Sequence, residues 1–318
     1  MAFNGIQMWQ KLKGTTKNNV TTRTYFTDVN KIFVSDRLKI NSCFRDIFPS
    51  IIEQKKFATQ PETALENINE WVKNQTHSKI VDLLPAGSIN VGTKVVIANA
   101  VYFKSDWAHQ FDVSKTTKDK FYVSPEEVIQ VDMMNIESVN LLYAISDKLH
   151  ASAVELPYSN QEHSMVIVLP SAERGLDALL RDLTVPNLQE LLNSMVDDDV
   201  NLIMPKFTAE QEFELAGPLF SIGYKKIFDP RFVNLSVIFA KEADRNLTSL
   251  NSVLHKSYIK VNEEGTEAAA ATAIIFARSG RPLFPTQFVA NRPFLYLVRE
   301  TSTNMILFVG TVRRPQSD

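Results

Sequence analysis

The chain has 318 residues, 44% of them apolar and 22% charged, the make-up of a soluble globular protein with material for a large core. A net charge of −2 argues against nucleic acid or an acidic polymer as partner. The single cysteine, Cys43, excludes an internal disulfide and a cysteine metal cluster, and reads as a buried small hydrophobe.

Apolar spacing at Phe3, Ile6, Met8, Trp9 and Leu12 predicts an opening helix. The same stretch has charges where a secretory leader has an apolar core, so it is not a signal peptide. No apolar run approaches the roughly 18 residues that cross a bilayer, so no membrane partner is expected. Asn30–Val34 reads as a strand. Helices are predicted over Asn41–Ile52 and Glu62–Gln75, the second with an apolar stripe of Ala64, Leu65, Ile68, Trp71 and Val72. Lys94–Phe103 is a strand too apolar for a sheet edge. Ser152–Leu156 and Ser164–Leu169 form a strand pair joined by the polar Tyr158–His163. Leu176–Leu180 and Pro186–Met195 are short helices, with Pro186 suited to a helix start. Asn201–Met204, Ser257–Val261, Phe294–Arg299 and Met305–Val309 are strands, the last two joined by a hairpin turn at Glu300–Asn304. No repeat, low-complexity tract or linker interrupts the order, which fits one α+β domain over residues 1–318.

The stretch Val261–Thr272, VNEEGTEAAAAT, carries the most information. Alanine is the best helix former, so an alanine-rich helix capped by Thr266 is the competing reading. The flanks favour an extended segment: a strand precedes it, and Arg278-Ser279-Gly280-Arg281-Pro282 ends any helix soon after. Read as a strand, Thr266, Ala268, Ala270 and Thr272 share one face, and Glu267, Ala269 and Ala271 share the other, free to face solvent. The first face is small and uncharged, so it can slide over a packed core.

This segment resembles the hinge of the serpin reactive-centre loop. Four further motifs follow the same family order: Asn99-Ala100-Val101-Tyr102-Phe103-Lys104 with Trp107 and Phe111, Met204-Pro205-Lys206-Phe207, Asn291-Arg292-Pro293-Phe294, and Ile306-Leu307-Phe308-Val309-Gly310. The resemblance implies an α+β serpin-like domain with a large mixed sheet, a second sheet, surrounding helices and an exposed loop at about residues 263–290. It begins near Phe3–Leu12, at what matches the family's third helix. The family's "SP-x-S" and "GA-x-G-x-T" motifs are absent, so the chain is expected to lack the first helices and to expose apolar surface on the second sheet or under the first.

The resemblance also assigns residues. The hinge is Glu263, Glu264, Gly265, Thr266, Glu267, Ala268, Ala269, Ala270, Ala271 and Thr272. Counting from Gly265 puts the reactive bond after Ser279; a count one residue shorter selects Arg278, which suits the acidic pocket of trypsin-like proteases. Arg281 is third choice because Pro282 follows it, and Ala277 or Ser279 would suit an elastase-like pocket. Glu263 is expected to pair with Lys206 near Trp107, where the loop meets the sheet (the breach). Asn99 and His255 are expected to hydrogen-bond beneath the main sheet (the shutter), since a buried polar group needs a partner.

The function implied is suicide inhibition of a serine protease by a monomer. The alternative is a non-inhibitory carrier, storage protein or pseudo-inhibitor, whose usual mark of bulky or charged inner-face hinge residues is missing here. No G-x-S-x-G, H-E-x-x-H, Walker or G-x-G-x-x-G motif supports an enzyme. His77, His109, His150, His163 and His255 are scattered without metal spacing, so neither metal nor cofactor is expected. Sequons at Asn19, Asn74, Asn234 and Asn246 favour an extracellular glycoprotein, with the cytoplasm as the other possibility.

Overall fold

The fold is described from a computed structural model over residues 24–172, 174–229, 231–235, 237–240, 250, 252–266 and 284–316. The predicted opening helix lies outside these residues. The strands are β1 (Tyr25–Ser35), β2 (Ile52–Lys55), β3 (Val95–Asp106), β4 (Thr117–Tyr122), β5 (Val128–Ser146), β6 (Ala151–Pro157) and β7 (His163–Pro170). They continue with β8 (Val196–Pro205), β9 (Phe207–Glu214), β10 (Ser252–Val261), β11 (Gly265–Thr266), β12 (Thr286–Val289), β13 (Phe294–Glu300) and β14 (Ile306–Val312). The helices are α1 (Ser42–Ile47), α2 (Pro61–Gln75), α3 (Gly175–Asp182), α4 (Val185–Asn193) and α5 (Ala216–Ser221).

Two sheets organise the molecule. A mixed six-stranded sheet runs β2-β1-β3-β11-β10-β9, and an eight-stranded sheet runs β12-β8-β5-β6-β7-β13-β14 with β4 paired to β5. The chain divides into two compact units, one of Lys104–Ala209 and Ile259–Asp318, the other of Phe26–Phe103 and Glu210–Tyr258. The first holds the eight-stranded sheet. Its β7 is buried at every residue, which fits the apolar run Met165–Pro170 that follows the buried polar His163 and Ser164. Facing strands bury Ala153, Val166, Val168, Leu295 and Leu297 with Leu176, Leu179 and Leu191 of α3 and α4. On β14, Ile306 and Val309 are exposed.

In the second unit, α2 packs Ala64, Ile68 and Val72 onto Val96, Ala98 and Ala100 of β3 and Leu254 of β10. The helix starts at Pro61, whose missing N–H costs nothing in a first turn. It is pinned by Asn69, which donates to the Leu84 carbonyl (2.9 Å) and accepts from the Leu84 N–H (2.8 Å). The expected strand Lys94–Phe103 is β3 from Val95 onward, and β3 lies away from both sheet edges.

Two expectations are corrected. The helix expected over Asn41–Ile52 is only α1, capped by the Asn41 side chain, and Ile52 belongs to β2, paired in parallel with Ile32 of β1. Pro49 disfavours helix at Phe48, and burial of Ile52 in the sheet offsets the lost turn. Cys43 is exposed rather than buried, because α1 buries none of its residues. Strands β4, β5 and β9 give no clear alternation, and β4 and β9 are largely solvent-facing, so pairing rather than pattern holds them.

Candidate functional site

The site is built where β10 ends. Asn262–Gly265 forms a tight turn: the Asn262 N–H donates to the Gly265 carbonyl (2.9 Å), and the Gly265 N–H donates to the Asn262 side-chain oxygen (3.2 Å). The chain reverses, and β11 lies antiparallel to its neighbours on both sides. Thr266 stands opposite Val261 of β10 and Ser105 of β3, and Gly265 opposite Asp106. Gly265 has φ +156°, and a Cβ there would sit 2.2 Å from the Ser105 carbonyl oxygen, so only glycine fits so close to β3. Between Ser252–Tyr258 and Val96–Tyr102, β10 and β3 pair directly and in parallel.

A buried aromatic platform supports the turn. The indole of Trp107 stacks on Tyr158 with centroids 4.6 Å apart and planes at 8°. Trp107 donates its ring N–H to the Asn262 carbonyl (3.0 Å) and its backbone N–H to the Glu264 carbonyl (2.9 Å). The Tyr158 hydroxyl lies 3.0 Å from the hydroxyl of the fully buried Thr266, and burial pushes the Tyr158 phenol far above its ordinary pKa.

Two acids of the turn have opposite environments. Glu263 lies 2.6 Å from Lys206 and accepts from the Thr116 hydroxyl at 2.7 Å. Burial pushes its carboxyl up, but the bonds from Lys206 and Thr116, a backbone bond and the Lys206 charge outweigh that and hold it below the usual range. Its side chain is 5% exposed against 30% for Lys206, so the pair is half-buried. Glu264 has Oε2 buried without a hydrogen-bond partner. Desolvation, then Asp106 and Glu263, raise its pKa against the pull of Lys104.

The Asn99–His255 pair lies lower on the same strands, with the two residues opposite each other in register. The Asn99 side-chain oxygen meets the Nδ1 of His255. Its amide donates to Asp28 (2.8 Å) and Asn30 (2.7 Å) of β1, and Phe213 of β9 stacks over the imidazole. Both residues are half-buried, not enclosed in an apolar setting as their sequence neighbours suggest. Burial lowers the His255 pKa, with Asp28 opposing.

The remaining assigned positions divide simply. Glu267, Ala268, Ala269, Ala270, Ala271, Thr272, Arg278, Ser279, Asn19 and Asn246 lie outside the described residues. Asn74 and Asn234 are exposed. Among the described residues no acidic, histidine or cysteine group could hold a metal ion, and no helix is long and apolar enough to cross a membrane. Sequence reasoning missed Tyr158, Thr116, Asn262 and Asp28. Tyr158, Thr116 and Asp28 act through partners distant in the chain and carry no local motif, whereas Asn262 closes a local turn with Gly265.

The family model described as serpin (serine protease inhibitor) matches residues 6–315. The chain belongs to the serpin family. It is similar to Serine protease inhibitor 88Ea of Drosophila melanogaster, 32% identical over 92% of this chain and 71% of the relative. It is similar to human Serpin B4, 33% identical over 98% and 80% respectively. Among solved structures, Serpin48 of the insect Tenebrio molitor superposes with a TM-score of 0.82 at 30% identity, covering 98% of this chain and 79% of that one. The family is one of protease inhibitors, so this serpin is not an enzyme, and its fold is the two-sheet α+β fold described above.

Proposed function

We propose that this serpin inhibits a trypsin-like serine protease by loop cleavage followed by strand insertion. The observation that carries the proposal is β11. Gly265–Thr266 already occupies the gap between the ends of β3 and β10, antiparallel to both. Ser105 and Val261, which flank Thr266, each lie three residues beyond Tyr102 and Tyr258, the last directly paired residues of the two strands. A strand continuing from Thr266 therefore enters without a register slip.

In that register Ala268 would stand beside Phe103 and Ile259, Ala270 beside Val101 and Ser257, and Thr272 beside Asn99 and His255. The arriving strand parts the direct β3–β10 pairs and bonds to both neighbours. The small inner-face residues leave nothing bulky to bury. Serpin loop insertion is a known case of strand addition that releases stored strain. Before insertion, the protease serine oxygen bonds to the carbonyl carbon of Arg278, the Arg278–Ser279 bond breaks, and the amine of Ser279 leaves with the proton. Insertion then carries the acyl-enzyme away before water can hydrolyse it.

Arg278 is favoured as the specificity residue because its guanidinium suits an acidic protease pocket. The sequons support a secreted protein. Incubation with trypsin should give a denaturant-resistant covalent complex, and Arg278→Ala should abolish it with an unchanged melting temperature. Mass spectrometry of the cleaved loop locates the bond. A dominant cut after Ser279 or Ala277 would transfer the target to elastase-like enzymes. Rapid cleavage with no complex would identify a non-inhibitory member.

A further inference from the structure

The stretch from Leu215 to Leu235 has two unlike sides. Its inward side chains, Leu215, Leu219, Ile227, Phe228, Val233 and Leu235, pack into the core formed with Val34, Val95 and Val253. Its outward side chains are large and apolar: Phe220, Ile222, Tyr224 and Phe232 are 46%, 73%, 63% and 61% exposed. Isolated exposed apolar residues need no explanation, but four displayed from one anchored segment do.

Successive tight turns hold them in place. The N–H groups of Gly223 and Tyr224 donate to the Phe220 and Leu219 carbonyls (3.2 and 2.9 Å), with Gly223 at φ +109°. The N–H of Phe228 donates to Lys225, and those of Phe232 and Val233 donate to Asp229. The outward aromatics are thus backed by core packing and a bonded backbone.

Two of the rings have a cation beside them. The Lys225 ammonium lies 5.6 Å from the Phe220 ring centre, and the Arg231 guanidinium 5.4 Å from that of Phe232. Lys225 and Lys226 are exposed. The acid within the stretch, Asp229, is already paired with Arg231 at 2.7 Å. The excess is positive, although the whole chain carries −2.

We propose that Phe220, Ile222, Tyr224 and Phe232, with Lys225 and Lys226, form a docking surface for an anionic lipid bilayer. Aromatic and branched side chains enter the boundary between headgroups and acyl chains, while ammonium groups beside them meet lipid phosphates and carboxylates. A cation within about 6 Å of a ring, as at Phe220 and Phe232, suits that boundary, where the charged and apolar layers lie within a side chain's reach. Such binding would concentrate the inhibitor at membranes displaying phosphatidylserine.

The test is sedimentation of the full chain with vesicles. Binding to phosphatidylcholine vesicles containing phosphatidylserine is expected, weakening with salt, with little binding to phosphatidylcholine alone. The pair Lys225→Glu, Lys226→Glu should weaken it by about tenfold or more. The pair Phe220→Ser, Tyr224→Ser should also weaken it, with melting temperatures kept because all four residues are exposed. No sedimentation with phosphatidylserine vesicles at low salt overturns the proposal. So does binding that ignores both pairs, and so does retention on a soluble polyanion such as heparin without vesicle binding.

Discussion

Glu263 and Glu264 are neighbours with opposite electrostatic fates, and each makes the turn after β10 depend on pH in its own direction. Glu263 is held below its ordinary pKa, so its pair with Lys206 stabilises the fold above about pH 4.3 and the contribution is lost as pH falls through the lower folded value. Lys206→Met should therefore cost about 1–3 kcal/mol at neutral pH, and the deficit should shrink in acid. Melting curves of both proteins at neutral and acid pH check this, and a pH-independent deficit would contradict it. Glu264 has a raised pKa, so its favourable state is the protonated one. That stability is fully present below the unfolded pKa and is lost as pH rises through the folded pKa. Glu264→Gln should raise the melting temperature at neutral pH and leave it unchanged in strong acid. A variant less stable than the parent at neutral pH would show that the Glu264 charge is better solvated than its buried Oε2 indicates.

At the scale of elements, β3 and α2 set the terms for the loop. The two faces of the hinge are not equivalent to buried and free. Alternation separates Ala268 and Ala270 from Ala269 and Ala271, and the sequence reading left the second set toward solvent. Were the strand to continue in the β11 register, Ala269 would fall beside Tyr102 and Tyr258, and Ala271 beside Ala100 and Lys256. Ala100 packs against α2, and Tyr258 joins the same cluster. A strand inserted there would pass beneath α2 rather than open water. Ala269→Arg should then lower the yield of covalent complex, though less than Ala270→Arg, because an arginine on the α2 side can direct its charge outward along the helix. Titration of inhibitor against protease measures both yields; a parental yield for Ala269→Arg would mean that α2 does not confine the inserted strand.

The same elements show what a sequence discloses. β3, β7, α2 and the β13–β14 hairpin are legible because their apolar periods are long and their caps or turns conventional. β4 and β9 are not, because polar strands are held by neighbours remote in the chain. The overlong prediction at Asn41–Ile52 failed where sheet pairing of Ile52 outweighed local helix spacing. Of the site residues, Glu263, Lys206, Trp107, Asn99 and His255 were reached through motifs. Tyr158 and Thr116 were not, since a tyrosine beneath a threonine 108 positions away leaves no local trace.

For the whole molecule, the central claim is that the loop completes the six-stranded sheet. About ten added ladder hydrogen bonds at about 1 kcal/mol each, with burial of the inner face, would make the cleaved form much more heat-stable than the intact one. An arginine at position 270 would put a charge beside the half-buried Val101 and Ser257, at a cost of about 1–3 kcal/mol. The deciding measurement is the melting temperature before and after cleavage of the loop, in the parent and in Ala270→Arg. A large rise in the parent, and little or none in the equally cleaved variant, is the predicted result. A parent that melts at the same temperature after cleavage, or a variant that gains as much as the parent, would contradict insertion between β3 and β10.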